Sequence, residues 1–267
     1  MTSGNGKPKA SGNGRDIMLK TNKVTIRFGG LTAVKELDMA VALGEIYGLI
    51  GPNGAGKTTI FNLLTGVYEP TSGEIYFEEK RIDGKRPYEI SRCGVSRTFQ
   101  NIRLFPGMTV LENVMTACHI HARQNLFDAV VRSPRFERDE REHRKFSLEL
   151  LDIFDLADSR DEGGTSLPYG KQRRLEIVRA LATRPKLLLL DEPAAGLNPS
   201  EQEDLMLLIQ QIRDRFGLTI LLVEHNMKVV MGVCERIQVV DYGKSIALGV
   251  PDEIKNDPKV IEAYLGD

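Results

Sequence analysis

The run Gly51-Pro52-Asn53-Gly54-Ala55-Gly56-Lys57-Thr58-Thr59 fits G-x-x-x-x-G-K-[ST], a spacing whose chemistry is the cradling of phosphate. Its glycines let the backbone curl so that N–H groups face phosphate oxygens, and the helix that follows adds the positive end of its dipole. Lys57 would reach the β- and γ-phosphates of a nucleoside triphosphate, and the Thr58 hydroxyl would ligate Mg²⁺. A second constellation lies at Asp191-Glu192-Pro193, directly after the apolar run 187–190. Two carboxylates at the carboxyl end of a buried strand stand where α/β sheets bind ligands. Asp191 would hold the Mg²⁺ shell, directly or through water, and Glu192 would polarise the water that attacks the γ-phosphate. Between the two, Leu167-Pro168-Tyr169-Gly170-Lys171 opens a helical pattern carried by Leu175, Ile177, Val178 and Leu181. The unpaired N–H groups of such a helix start make it an anion receptor.

These side chains need a frame, and the chain supplies one. Residues 45–50 read as a buried strand and 59–66 carry apolar residues at helical spacing, giving the strand, glycine loop and helix order that the phosphate motif requires. Residues 19–47 are strand-like, with Val24, Ile26 and Phe28 alternating before a turn at Gly29-Gly30. Further strands are expected at 73–77 and 94–99, the latter leading into Gln100. From about 109 to 161 the pattern turns helical, with a charged middle over 132–145, and this reads as a separate lobe with one solvated helix face. The apolar runs at 187–190 and 219–223 have the character of fully buried parallel strands. The fold class is therefore α/β.

With 267 residues the chain makes one large domain, or a core with a smaller lobe. Thirty-six basic residues against 37 acidic give a net charge of −1, which offers no electrostatic case for nucleic acid or an anionic membrane surface. Cys93, Cys118 and Cys234 show no C-x-x-C spacing, which argues against a disulfide framework or a cysteine zinc site and fits a reducing cytoplasm. His119, His121 and His143 read as solvated side chains. No apolar run approaches the roughly 20 residues needed to cross a bilayer. Residues 1–16, rich in Gly, Ser, Asn and Lys, are expected to be a disordered tail.

The order of phosphate loop, Gln100, the 167–171 segment, Asp191-Glu192, the turn Ala195-Gly196-Leu197-Asn198 and His225 resembles the ATP-binding subunits of ABC transporters, over roughly residue 19 to the C-terminus. The resemblance implies an ABC-type P-loop core over 17–267 with an antiparallel β portion, a helical lobe inserted at about 101–165 and a C-terminal tail over about 250–267. It implies that Phe28 stacks on adenine with Val34 nearby, although packing with Val24 and Ile26 would explain Phe28 equally well. Gln100 would touch Mg²⁺ and the attacking water, and His225 would contact the γ-phosphate. Residues 167–171 would cap the nucleotide of an opposite subunit, so that hydrolysis needs two chains. Where the family's usual signature carries serine, this chain has Pro168, without hydroxyl or N–H; losing one hydrogen bond to a charged phosphate costs on the order of 1.5–3 kcal/mol.

Three segments resemble the branched-chain amino-acid importer ATPases in particular: 97–105, 192–199 and the tail 256–266. The implied partners are a second ATPase subunit, a different chain or else a second copy of this one, two membrane permeases and, indirectly, an external binding protein, with no nucleic acid. The implied location is the cytoplasmic face of the plasma membrane. Close relatives move urea, short amides or other hydrophobic amino acids, and a soluble ABC ATPase outside transport is the remaining alternative.

Overall fold

The computed structural model describes residues 16–121 and 134–265. The tail expected over 1–16 lies outside them except for Asp16, whose carbonyl accepts the Leu43 N–H.

Two sheets divide the chain. The first is antiparallel, in the order β2-β1-β4-β5, from β1 (Ile17–Phe28), β2 (Leu31–Ala42), β4 (Ser72–Phe77) and β5 (Lys80–Arg81). The second runs β10-β9-β3-β8-β7-β6, from β3 (Ile46–Ile50), β6 (Val95–Arg97), β7 (Leu187–Asp191), β8 (Thr219–Val223), β9 (Arg236–Asp241) and β10 (Lys244–Gly249). It is parallel except at β10, which pairs antiparallel with β9.

Every residue of β3, β7 and β8 is buried, which is why these strands are apolar runs with no polar alternation. Period-2 geometry still sorts their side chains. Tyr47, Leu49, Leu187, Leu189, Leu221 and Val223 enter the core shared with the antiparallel sheet and α1 (Lys57–Leu64). Ile46, Ile50, Leu188, Leu190, Ile220 and Leu222 enter the core on the opposite face. That second core is filled by α3 (Val110–Cys118), α4 (Pro134–Ile153), α5 (Tyr169–Ala182), α6 (Pro199–Phe216) and α7 (Met227–Val233), and reaches Ile254 of α8 (Pro251–Asn256) and Val260 of α9 (Pro258–Leu265). The remaining helix, α2 (Pro87–Cys93), leads into β6.

Helix ends follow the capping chemistry of the sequence. Thr109 caps α3 by accepting the Glu112 N–H while Glu112 returns a bond to the Thr109 N–H, and Asn198 and Glu201 do the same for α6. Within the stretch expected to form a helical lobe, α3 and α4 send Val110, Val114, Leu150 and Phe154 into the core of the central sheet. The charged stretch of α4 is exposed at Glu137, Arg138, Arg141, Glu142, Arg144 and Lys145. Asp139, Glu140 and His143 depart from the expected solvated face and are partly buried.

Candidate nucleotide site

Four adjacent parallel strands, β3, β8, β7 and β6, deliver the motif residues at their carboxyl ends. The phosphate loop follows β3, His225 follows β8, Asp191-Glu192 closes β7, and Gln100 follows β6 by three residues.

The loop leaves β3 at Gly51, where only glycine fits: a Cβ there would lie 2.0 Å from the Val240 carbonyl oxygen of β9. Pro52 and Ala55 are buried, Gly56 and Thr59 half-buried, and Asn53, Gly54 and Thr58 exposed. Lys57, first residue of α1, is 8% exposed, and its Nζ donates to the carbonyls of Gly51 at 2.6 Å and Pro52 at 2.8 Å. Burial pushes its pKa below the ordinary lysine value, and the carboxylates of Glu192 and Asp191 oppose that shift. The ammonium is thus wrapped by its own loop, within electrostatic reach of Asp191 and Glu192 at the end of β7.

Asp191 is buried, and its Oδ2 accepts from Arg97 Nη2 at 2.7 Å. Arg97 spans the gap to α1 by donating from Nη1 to Asn62 Oδ1 at 2.7 Å, and its guanidinium lies over the rings of Phe61 and Phe99. Glu192 sits one residue past the strand with φ of 48°, in the left-handed region that non-glycine residues rarely occupy. This backbone twist turns its carboxylate into the site, where Oε2 accepts from Gln100 Nε2 at 2.9 Å and lies 3.6 Å from His225 Nδ1.

Sequence reasoning missed the supports of this cluster. Glu224, fully buried behind His225, accepts the N–H groups of Ala194 at 2.7 Å, His225 at 3.2 Å and Asn226 at 3.3 Å, tying the end of β8 to the segment after Glu192. Burial pushes its pKa up, and those N–H groups work against the shift. Arg173 of α5, 1% exposed, donates to the Phe99 carbonyl at 2.8 Å, the Gln100 carbonyl at 2.9 Å and the Tyr169 hydroxyl at 3.2 Å. Glu176 completes the clamp, accepting from Arg173 at 3.0 Å and from the Phe99 N–H at 3.2 Å. A polar Arg-x-x-Glu on a helix gives no sign in sequence that it will be buried.

The 167–171 segment begins α5. Leu167 is buried, Pro168 is the N-cap at φ −53° and ψ 149° with no side-chain cap bond, and Tyr169 and Lys171 are exposed, with Gly170 half-buried. Tyr169 lies against Gly196, whose φ of 77° and close approach, 2.9 Å from a would-be Cβ to the ring, both require glycine. Lys171 Nζ donates to Ser159 Oγ at 3.2 Å. Phe28 is 44% exposed and meets Tyr68 edge to face, so it is not a core residue, whereas Val34 is fully buried and can only support the neighbouring loop from behind.

The donor set suits Mg²⁺. Thr58 hydroxyl, Asp191 carboxylate and Gln100 Oε1, left over because Nε2 faces Glu192, are all hard oxygens.

A family model described as ABC transporter matches residues 34–195, and one described as branched-chain amino acid ATP-binding cassette transporter matches 244–267. A Salmonella typhimurium protein named high-affinity branched-chain amino acid transport ATP-binding protein LivG is 47% identical over 250 residues, covering 94% of this chain and 98% of that relative. Among solved structures, the ADP conformation of an ATP-binding cassette of an ABC transporter matches with a TM-score of 0.82 and 31% identity, over 94% of this chain and 99% of that one. A dimeric cassette in a post-hydrolysis state bound to ADP and Pi matches with a TM-score of 0.74 and 27% identity, over 88% and 99%.

Proposed function

The chain belongs to the ABC transporter family, and from that premise we propose that it is the ATP-hydrolysing motor subunit of an importer for branched-chain amino acids. The observation that carries the motor reading is the Glu192 carboxylate, held between Gln100 and His225 at the carboxyl end of β7, in the sheet that also delivers the phosphate loop. The match of 244–267 to a branched-chain-specific model, and the LivG relative, support the substrate class.

ATP would lie with its phosphates in the loop from Gly51 to Thr59 and its base against Phe28. Lys57 exchanges its bonds to the Gly51 and Pro52 carbonyls for phosphate oxygens, so the nucleotide inherits a donor already aimed into the loop. Thr58, Asp191 and Gln100 would hold Mg²⁺. That ion would supply positive charge to offset the charge of the phosphates. Glu192 takes the position of the group that orients the attacking water, with Gln100 and His225 fixing its carboxylate, and His225 then contacts the γ-phosphate.

Residues 167–171 stand on the exposed start of α5, the place from which they would cap the nucleotide of a second ATPase subunit. The groove between Phe99, Arg103 and Phe105 on one side and Val67, Pro87 and Ile90 on the other is where a permease would engage. Among the described residues no helix is long and apolar enough to cross a membrane, so the chain would meet the membrane through such permeases.

Glu192→Gln tests the motor reading: ATP should remain bound while turnover falls by at least 10²-fold, of the order expected for loss of a general base. Unchanged turnover would remove Glu192 from the mechanism. Purification from detergent-solubilised membranes tests the importer: two polytopic proteins and a second ATPase should co-elute, and recovery of soluble partners alone would overturn it.

A further inference from the structure

In the helical lobe, away from the nucleotide site, three potential metal ligands converge. His119 begins the 3₁₀ turn His119–His121 at the end of α3, and Glu140 and His143 stand three residues apart on α4, hence on one face. One ligand atom from each lies within 4.8 Å of the other two. His119 Nε2 is 4.0 Å from Glu140 Oε2, and the two imidazoles meet edge to face with centroids 5.2 Å apart. A second observation points outside the protein: His143 Nδ1 is buried with no hydrogen-bond partner, and buried imidazole nitrogens are ordinarily satisfied.

We propose that His119, Glu140 and His143 bind one borderline divalent transition ion, with Zn²⁺ as its representative, and that the ion staples α4 to the end of α3. Two imidazoles and a carboxylate are a His₂Glu set, to which water adds the fourth tetrahedral position. Mg²⁺, which seeks an octahedral shell of oxygens, has one protein oxygen here and is not the cation of this site. Charge is arranged to permit binding. The Glu140 carboxylate supplies negative charge beside both imidazoles, 4.0 Å from His119 Nε2. Arg184, placed over the Phe146 ring, carries the opposing positive charge nearby.

The test is calorimetric titration of the full-length chain, freed of any polyhistidine tag, with Zn²⁺ alone, alongside the visible spectrum with Co²⁺. One equivalent should bind, raise the melting temperature and give Co²⁺ d–d bands of tetrahedral intensity. His143→Ala and His119→Ala should each weaken binding at least tenfold and abolish the thermal shift. Glu140→Gln, at a partly exposed position that leaves the helix intact, should weaken it without altering the circular dichroism, and it carries the test if either alanine variant misfolds. His225→Ala should leave this binding unchanged. Absence of binding by the parent chain up to millimolar Zn²⁺ would overturn the proposal, as would binding that survives Glu140→Gln and the histidine variants but is lost in His225→Ala.

Discussion

Asp191 shows how a single residue serves two masters. Its buried carboxylate accepts from Arg97 through Oδ2, which leaves Oδ1 for the cation proposed above, and Arg97 is itself almost wholly enclosed. Removing one member of a buried pair leaves the other uncompensated, so Arg97→Met should cost about 3–5 kcal/mol in urea unfolding. A loss below 1 kcal/mol would mean that water reaches Asp191 freely. Glu224 gives a prediction in pH. Burial raises its folded-state pKa above the ordinary 4.5, so its contribution to stability is whole below that value and drains away as pH rises through the raised pKa. Relative to Glu224→Gln, the parent chain should lose stability from about pH 4.5 upward and then level off; a pH-independent difference would contradict this. Lys57, Asp191 and Glu192 were legible because spacing or strand position marks them. Arg97 and Glu224 were not, since each is one polar residue whose importance comes from being buried.

At the scale of elements, β3, β7 and β8 could be read directly because a strand covered on both faces must be apolar throughout. Strand β9 escaped notice because its buried Gln238 breaks the run; Gln238 accepts the Tyr47 hydroxyl at 2.8 Å and so is satisfied inside. The link between α5 and the Gln100 segment was equally hidden. Arg173 and Glu176 hold three backbone groups of residues 99–100 on the helix that bears Tyr169. Whatever moves the start of α5 therefore moves Gln100, the partner of Glu192. Arg173→Met should slow kcat by about tenfold or more with little change in the KM for ATP, since the phosphate loop is untouched. An equal loss in both, or none, would show that α5 and Gln100 act independently.

For the whole molecule the relevant unit is a pair. Pro168 supplies no donor at the tip of α5, and in the closed pair proposed above that deficit would fall on the nucleotide held by the other subunit. A pair in which this chain carries Lys57→Ala leaves turnover only at the partner's site. In that background Pro168→Ser should raise turnover by about tenfold, the equivalent of one recovered hydrogen bond to phosphate. No change would mean that the N–H groups after Pro168 suffice. The alternation of the central strands between two cores had a further consequence for legibility: sequence showed one α/β domain, while the division of its interior into a face toward the antiparallel sheet and a face toward the helices needed the register of β3, β7 and β8.

The backbone of Glu192, at φ 48°, has a consequence for how this protein can evolve under selection. A left-handed glutamate costs on the order of 1 kcal/mol, a cost that glycine avoids and asparagine reduces. With Glu192 in the proposed water-orienting role, heat resistance and turnover would pull this position in opposite directions. A random library screened only for survival at high temperature should enrich Glu192→Gly and Glu192→Asn, yielding sturdier chains that hold ATP and no longer spend it.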